Sequence, residues 1–116
     1  MELSLLVRPK AEAKQALEQL RDDVIEIMRD MPIWSEAPVG NLRTIPLGVL
    51  RKNATQRHGV TRWKRGVNLD AMNIEDVEVI DLHPRLLEAK WRPYGAFVLH
   101  HEYIHALGFR GHDSTF

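Results

Sequence analysis

Apolar residues recur at Ala13, Ala16, Leu17, Leu20, Val24, Ile27, Met28 and Met31, with polar and charged residues between them. Steps of three and four keep such residues on one face of a helix, so the pattern predicts a long amphipathic helix packed on a core. Pro9 suits the first turn, where a missing N–H costs nothing. Pro32 ends the helix and pushes Met31 out of helical dihedrals. At about 1.5 Å per residue the segment spans roughly 33 Å, the width of a small domain.

The period then changes. The stretch 33–41, with Pro32, Pro38 and Gly40 in or beside it, reads as a loop. Thr44–Leu50 is a candidate strand, and Pro46 and Gly48 inside it argue for a sheet edge or a bulge. Asn53–Gln56 reads as a turn. In Gly59–Lys64, Val60, Arg62 and Lys64 alternate with Thr61 and Trp63, the pattern of a second strand completing a hairpin. Val77–Leu82 is the clearest strand, rich in β-branched residues. His83-Pro84 opens a short helix over Arg85–Lys90. From Tyr94 to Leu107 the chain is apolar nearly all round, the signature of a buried helix. Pro93 stands near its start, and Gly108 is placed to end it as a left-handed cap. This order predicts one α+β domain over residues 1–116: a long N-terminal helix, a small, mostly antiparallel three-stranded sheet with helices packed on one side, and a C-terminal helix.

The polar interruption of that last helix carries the chemistry. His101-Glu102-Tyr103-Ile104-His105 has the form H-E-x-x-H. Residues four apart lie one turn above each other, so His101 and His105 can grip one metal ion while Glu102 sits beside it. The bland alternative is a pair of hydrogen-bonded core histidines. Imidazoles and a carboxylate in an apolar helix need partners, and a metal satisfies both rings at once. The chain has no cysteine, so any metal is held by His and carboxylate. Zinc in a catalytic site takes three protein ligands and leaves a fourth position open. His112, after the tight connection Gly108–Gly111, is the favoured third ligand; Asp113 is the main alternative and His83 a distant one. His100 points about 100° away from His101 and reads as a packing residue or one that supports a ligand from behind. His58 reads as a turn residue, and His83 as a helix cap or a substrate contact. With zinc supplying an acidified water, Glu102 fits the role of general base in peptide hydrolysis.

Composition changes this picture little. Apolar residues make up 44% and charged residues 28%, which suits an ordinary globular domain. The first seven residues are too short and too acidic for a signal peptide, and no stretch approaches a membrane span. The expectation is a cytoplasmic protein with no membrane partner, acting on a protein or peptide substrate. Net charge is zero, but Arg43, Arg51, Lys52, Arg57, Arg62, Lys64 and Arg65 form a segment with no acid among them. That run is a candidate nucleic-acid contact, or a solvated face of two strands.

These residues resemble the active-site end of the zincin metallopeptidases. The resemblance is closest to the SprT-like group, with its small archaeal single-domain relatives. It runs from the basic strand pair through Val77–Leu82 and His83-Pro84-Arg85-Leu86-Leu87. It continues through Val98-Leu99-His100-His101-Glu102-Tyr103-Ile104-His105 to His112 and Phe116. His101-Glu102-Tyr103-Ile104-His105-Ala106-Leu107-Gly108-Phe109 is also similar to the metzincins. Their third histidine would fall on Gly111, however, and their downstream methionine is missing. The gluzincin pattern lacks its glutamate after Glu102. The resemblance implies a zincin-like fold, a zinc metalloendopeptidase activity, Zn2+ on His101, His105 and His112, Glu102 as catalytic residue, and action on DNA-bound proteins. The alternatives are a catalytically latent zincin-fold module that binds protein or DNA, and a domain stabilised by a closed four-ligand zinc site.

Overall fold

The computed structural model describes residues 11–53, 57–68 and 73–109. Helix α1, Ala11–Arg29, buries Leu17, Leu20, Val24, Ile25 and Met28. The predicted stripe is there with one correction. Ile25 is fully buried, whereas Ile27 is 57% exposed. Positions 17, 20, 24 and 28 centre the stripe, and residue 25 follows 24 round the inner side while 27 turns out. Met31 takes φ −87° and ψ 122°, as expected of a residue before proline. The expected loop is two short 3₁₀ turns, Pro32–Trp34 and Val39–Thr44, which bury Trp34, Val39 and Leu42.

Three strands follow: β1 (Leu47–Val49), β2 (Gly59–Trp63) and β3 (Val77–Leu82). Their order in the sheet is β1-β3-β2. β1 pairs parallel with β3, and β2 pairs antiparallel with it. The sheet is therefore mixed, not mostly antiparallel, and β1 and β2 form no hairpin. The physical reason lies in the strands themselves. β3 is the longest and the richest in β-branched residues, and Ile80, Asp81 and Leu82 are all buried. It takes the centre. β1, with Pro46 unable to donate and Gly48 within it, sits at an edge.

The pleat sorts the side chains. Thr61 lies opposite Ile80 and Gly59 opposite Leu82, on the face that meets the helices. Val60 lies opposite Asp81 on the other face, where Arg62 Nη2 donates to Asp81 Oδ2 at 2.9 Å. After β3 the expected helix resolves into two 3₁₀ turns, Pro84–Leu87 and Ala89–Trp91. Pro84 starts the first of them.

Helix α2, Arg92–Ala106, closes the domain against α1, β2 and β3. It is not buried all round. Val98, Leu99, Tyr103, Ile104 and Ala106 enter the core, but Tyr94 is 40% and Phe97 61% exposed. Burial pushes the Tyr103 hydroxyl pKa up, and that hydroxyl has no hydrogen-bond partner among the described residues. No described helix is long and apolar enough to cross a membrane.

Candidate metal centre

Positions 94, 97, 101 and 105 stack along the side of α2 that the core leaves open. Together with β2 they line a cleft of about 690 Å³, whose walls include Thr61, Trp63, Tyr94 and Phe97. His101, Glu102 and His105 meet there. One ligand atom from each lies within 4.8 Å of the others. The two histidine Nε2 atoms are 3.2 Å apart, and their rings cross nearly at right angles.

The end of α2 sets the tautomer of His105. Gly108 takes φ 108°, a conformation that costs a residue with a Cβ. Its N–H donates to the His105 carbonyl, and Phe109 N–H donates to the Ile104 carbonyl. This left-handed cap folds the chain back over the helix end. The Phe109 carbonyl then lies 2.8 Å from His105 Nδ1. A carbonyl only accepts, so Nδ1 carries the proton and Nε2 turns a lone pair to the cleft. Phe109 is itself held edge-on by Trp34, with ring centroids 6.0 Å apart.

Glu102 is 7% exposed and points at β2. Thr61 Oγ1 donates to Glu102 Oε1 at 2.8 Å. Gly59 allows this approach. A Cβ there would stand 2.7 Å from Val98 Cγ1 and 3.2 Å from Glu102 Cγ. The strand thus lies directly on the helix, and its hydroxyl fixes one carboxylate oxygen. A glutamate held this way can orient a water beside the histidine pair and take its proton.

The donor set fits a divalent ion that accepts nitrogen and oxygen ligands, zinc among them. Two imidazole nitrogens converge, and one is fixed by an outer carbonyl in the manner usual for metal-binding histidines. His112 and Asp113, the two leading candidates for third ligand, lie outside the described residues. His83 does not join the centre. Its Nδ1 accepts from the Arg85 backbone N–H, so it caps the turn after β3. His100 faces the other way. The Trp34 indole N–H donates to His100 Nε2 at 3.3 Å, and burial, with His101 beside it, lowers its pKa. His58, read as a turn residue, meets the Tyr94 hydroxyl at 2.7 Å through Nδ1.

Within the basic segment two cations are engaged in ion pairs and the others reach solvent. Arg43 pairs with Asp22 and Arg62 with Asp81, while Arg51, Lys52, Arg57, Lys64 and Arg65 are exposed. Thr61, the Phe109 carbonyl and Trp34 were not legible as parts of the site. The period-two alternation of β2 put Thr61 on a face with Trp63, but nothing in the string says which helix residue that face meets. No family model, curated protein or solved structure matches the chain.

Proposed function

We propose that this chain is a zinc-dependent endopeptidase. His101 and His105 hold the metal, His112 completes the protein ligands with Asp113 as the alternative, and Glu102 is the general base. The observation that carries this reading is the convergence of the two Nε2 atoms, 3.2 Å apart, beside a carboxylate anchored by Thr61 in the wall of an open cleft. The two rings touch each other, and both line the cleft, where a substrate can reach them.

Zinc, when bound, supplies Lewis acidity that makes a water more acidic and polarises a carbonyl. The rest falls to the chain. The Phe109 carbonyl holds His105 in the tautomer that binds through Nε2. Thr61 holds one oxygen of Glu102 and leaves the other for a water. Glu102 takes the proton as that water attacks the peptide carbonyl, then delivers it to the leaving amine nitrogen. One C–N bond breaks and one C–O bond forms. Tyr94, Phe97 and Trp63 offer apolar walls for the flanking side chains.

The complete absence of cysteine suits a reducing compartment, and we place the protein in the cytoplasm. A second reading is a zincin-like module that binds protein or DNA without cleaving. The six exposed cations from Arg51 to Arg65 favour it, and the anchored Glu102 favours hydrolysis.

Metal analysis and a single variant test the proposal. Purified protein should hold one zinc per chain. Glu102→Gln should keep that zinc and cleave an unstructured protein substrate slower by about 10²–10⁴, the usual worth of a positioned base. A chain that zinc cannot fill, or a variant as fast as wild type, overturns the reading.

A further inference from the structure

Beside the metal centre lies a second cavity of about 250 Å³, and His58 and Tyr94 line both. Its other walls are Lys52, His83, Arg85, Leu86 and Trp91. There is no carboxylate among the described residues that line it. That is unusual for this domain, where Arg21, Arg43, Arg62 and Arg92 each pair with an aspartate. Lys52 and Arg85 form no ion pair among the described residues. A cavity edged by two unpaired cations favours an anion.

The imidazoles add directed donors. His83 is 8% exposed. Its Nδ1 accepts the Arg85 backbone N–H at 3.1 Å, and an amide can only donate. Nδ1 is therefore the bare nitrogen of the neutral ring, and the proton sits on Nε2, which makes no hydrogen bond among the described residues. His58 is tied through Nδ1 to the Tyr94 hydroxyl, and its ring stands edge-on to His83 at 6.5 Å. Trp91 and Tyr94 give the cavity an apolar side. At about 250 Å³ it is smaller than the 300–1,000 Å³ of sites that hold whole cofactors or drug-sized ligands. It matches a side chain or a chain end. An arginine fork and an N–H donor suit a planar two-oxygen anion.

We propose that this cavity holds a carboxylate of the peptide substrate, so that the protein selects peptides bearing an acidic side chain or a free C-terminus near the bond at the His101–Glu102–His105 centre. The proposal rests on the peptidase reading for its orientation toward that centre. The carboxylate chemistry is shared by the two sources, and the test separates them.

Binding is measured by fluorescence anisotropy, at low salt, to the zinc-loaded full chain carrying Glu102→Gln so that probes stay intact. Four labelled decapeptides of one sequence are compared: a central Glu or a central Gln, each with a free or an amidated C-terminus. Hydrogen bonds to a charged group predict about tenfold tighter binding for the carboxylate form. An advantage of Glu over Gln assigns a side chain, and an advantage of free over amidated ends assigns the terminus. Arg85→Met and Lys52→Met should each shrink that advantage and leave the neutral, amidated peptide bound as before. Equal binding of all four peptides overturns the proposal, as does an advantage that survives both substitutions. A single-stranded oligonucleotide that displaces the carboxylate peptide from the cavity more strongly than unlabelled peptide does would also overturn it, in favour of a phosphate site. Cleavage by the unmodified chain is recorded separately. If no peptide is cut but the carboxylate advantage holds and depends on Arg85, the peptidase reading fails while the anion site stands.

Discussion

Helix α1 buries Leu17, Leu20, Val24, Ile25 and Met28 along one stripe and gives its other side to Glu12, Lys14, Glu18, Asp23 and Glu26. Helix α2, packed against it, buries Val98, Leu99, Tyr103, Ile104 and Ala106, and also Glu102. Its other side carries Tyr94 and Phe97 in the open and His101 and His105 half-covered. The two helices use the same packing physics on their shared side. They differ on the far side. That of α1 is spread with charges that water solvates well. That of α2 is apolar with a few polar groups placed among apolar neighbours, where each must find a partner. On α2 the Phe109 carbonyl partners His105 on that side, while Thr61 partners the buried Glu102 and Trp34 partners His100, which faces away from the cleft. A helix that only packs can leave its outer face generic. A helix that sets polar groups among apolar ones needs other elements to hold them.

The comparison breaks most visibly in the core. Ile25→Ala on α1 and Leu99→Ala on α2 should each cost about 2–5 kcal/mol in denaturant unfolding, because both side chains are fully buried. Ile27→Ala should stay within about 0.5 kcal/mol, since that residue faces water. A large loss at Ile27 would mean that α1 is not a one-sided helix.

A smaller effect sharpens the contrast at the far side of α2. Thr61→Val keeps the shape and removes the hydroxyl that holds Glu102. On the proposed peptidase reading, turnover should fall about 10–100-fold, as for outer partners of metal-site residues, and Thr61→Ser should restore most of it. The zinc content should not change. Equal loss in both variants would make Thr61 a packing residue like those of α1.

The smallest effect concerns the Arg62–Asp81 pair, on the sheet face opposite Thr61 and Ile80. Burial raises the Asp81 carboxyl pKa above its ordinary 3.8, and Arg62 opposes the shift. An acid raised in this way contributes stability below its unfolded pKa and loses it as the pH rises through the folded value. Arg62→Ala removes the opposing cation and raises the pKa further. The variant should match wild type where Asp81 is protonated and fall behind once it ionises. The Arg62 side chain is 57% exposed, so the deficit should stay below about 1 kcal/mol. Thermal melts from about pH 3 to 7 read it. A deficit of the same size at every pH would assign Arg62 a packing role instead.

Local pattern determined much of this protein. The three-to-four spacing placed α1, the β-branched run placed Val77–Leu82 to the residue, and Gly108 ended α2 in a left-handed turn. The H-E-x-x-H spacing brought His101 and His105 together, because four residues make one helical turn whatever surrounds them. These are properties of neighbours along the chain, and a string records them.

Pairings across the chain were decided only by tertiary structure. The string suggested a β1–β2 hairpin, but β3 lies between them, because the most buried strand takes the centre of the sheet. Periodicity is blind to order within a sheet. Nor could it show that Gly59 would let β2 settle on Val98, bringing Thr61 to Glu102 across 41 residues. The cavity of Lys52, His58, His83 and Arg85 belongs to the same class. Its members come from separate turns and strand ends, and their common charge is apparent only once the fold has drawn them together.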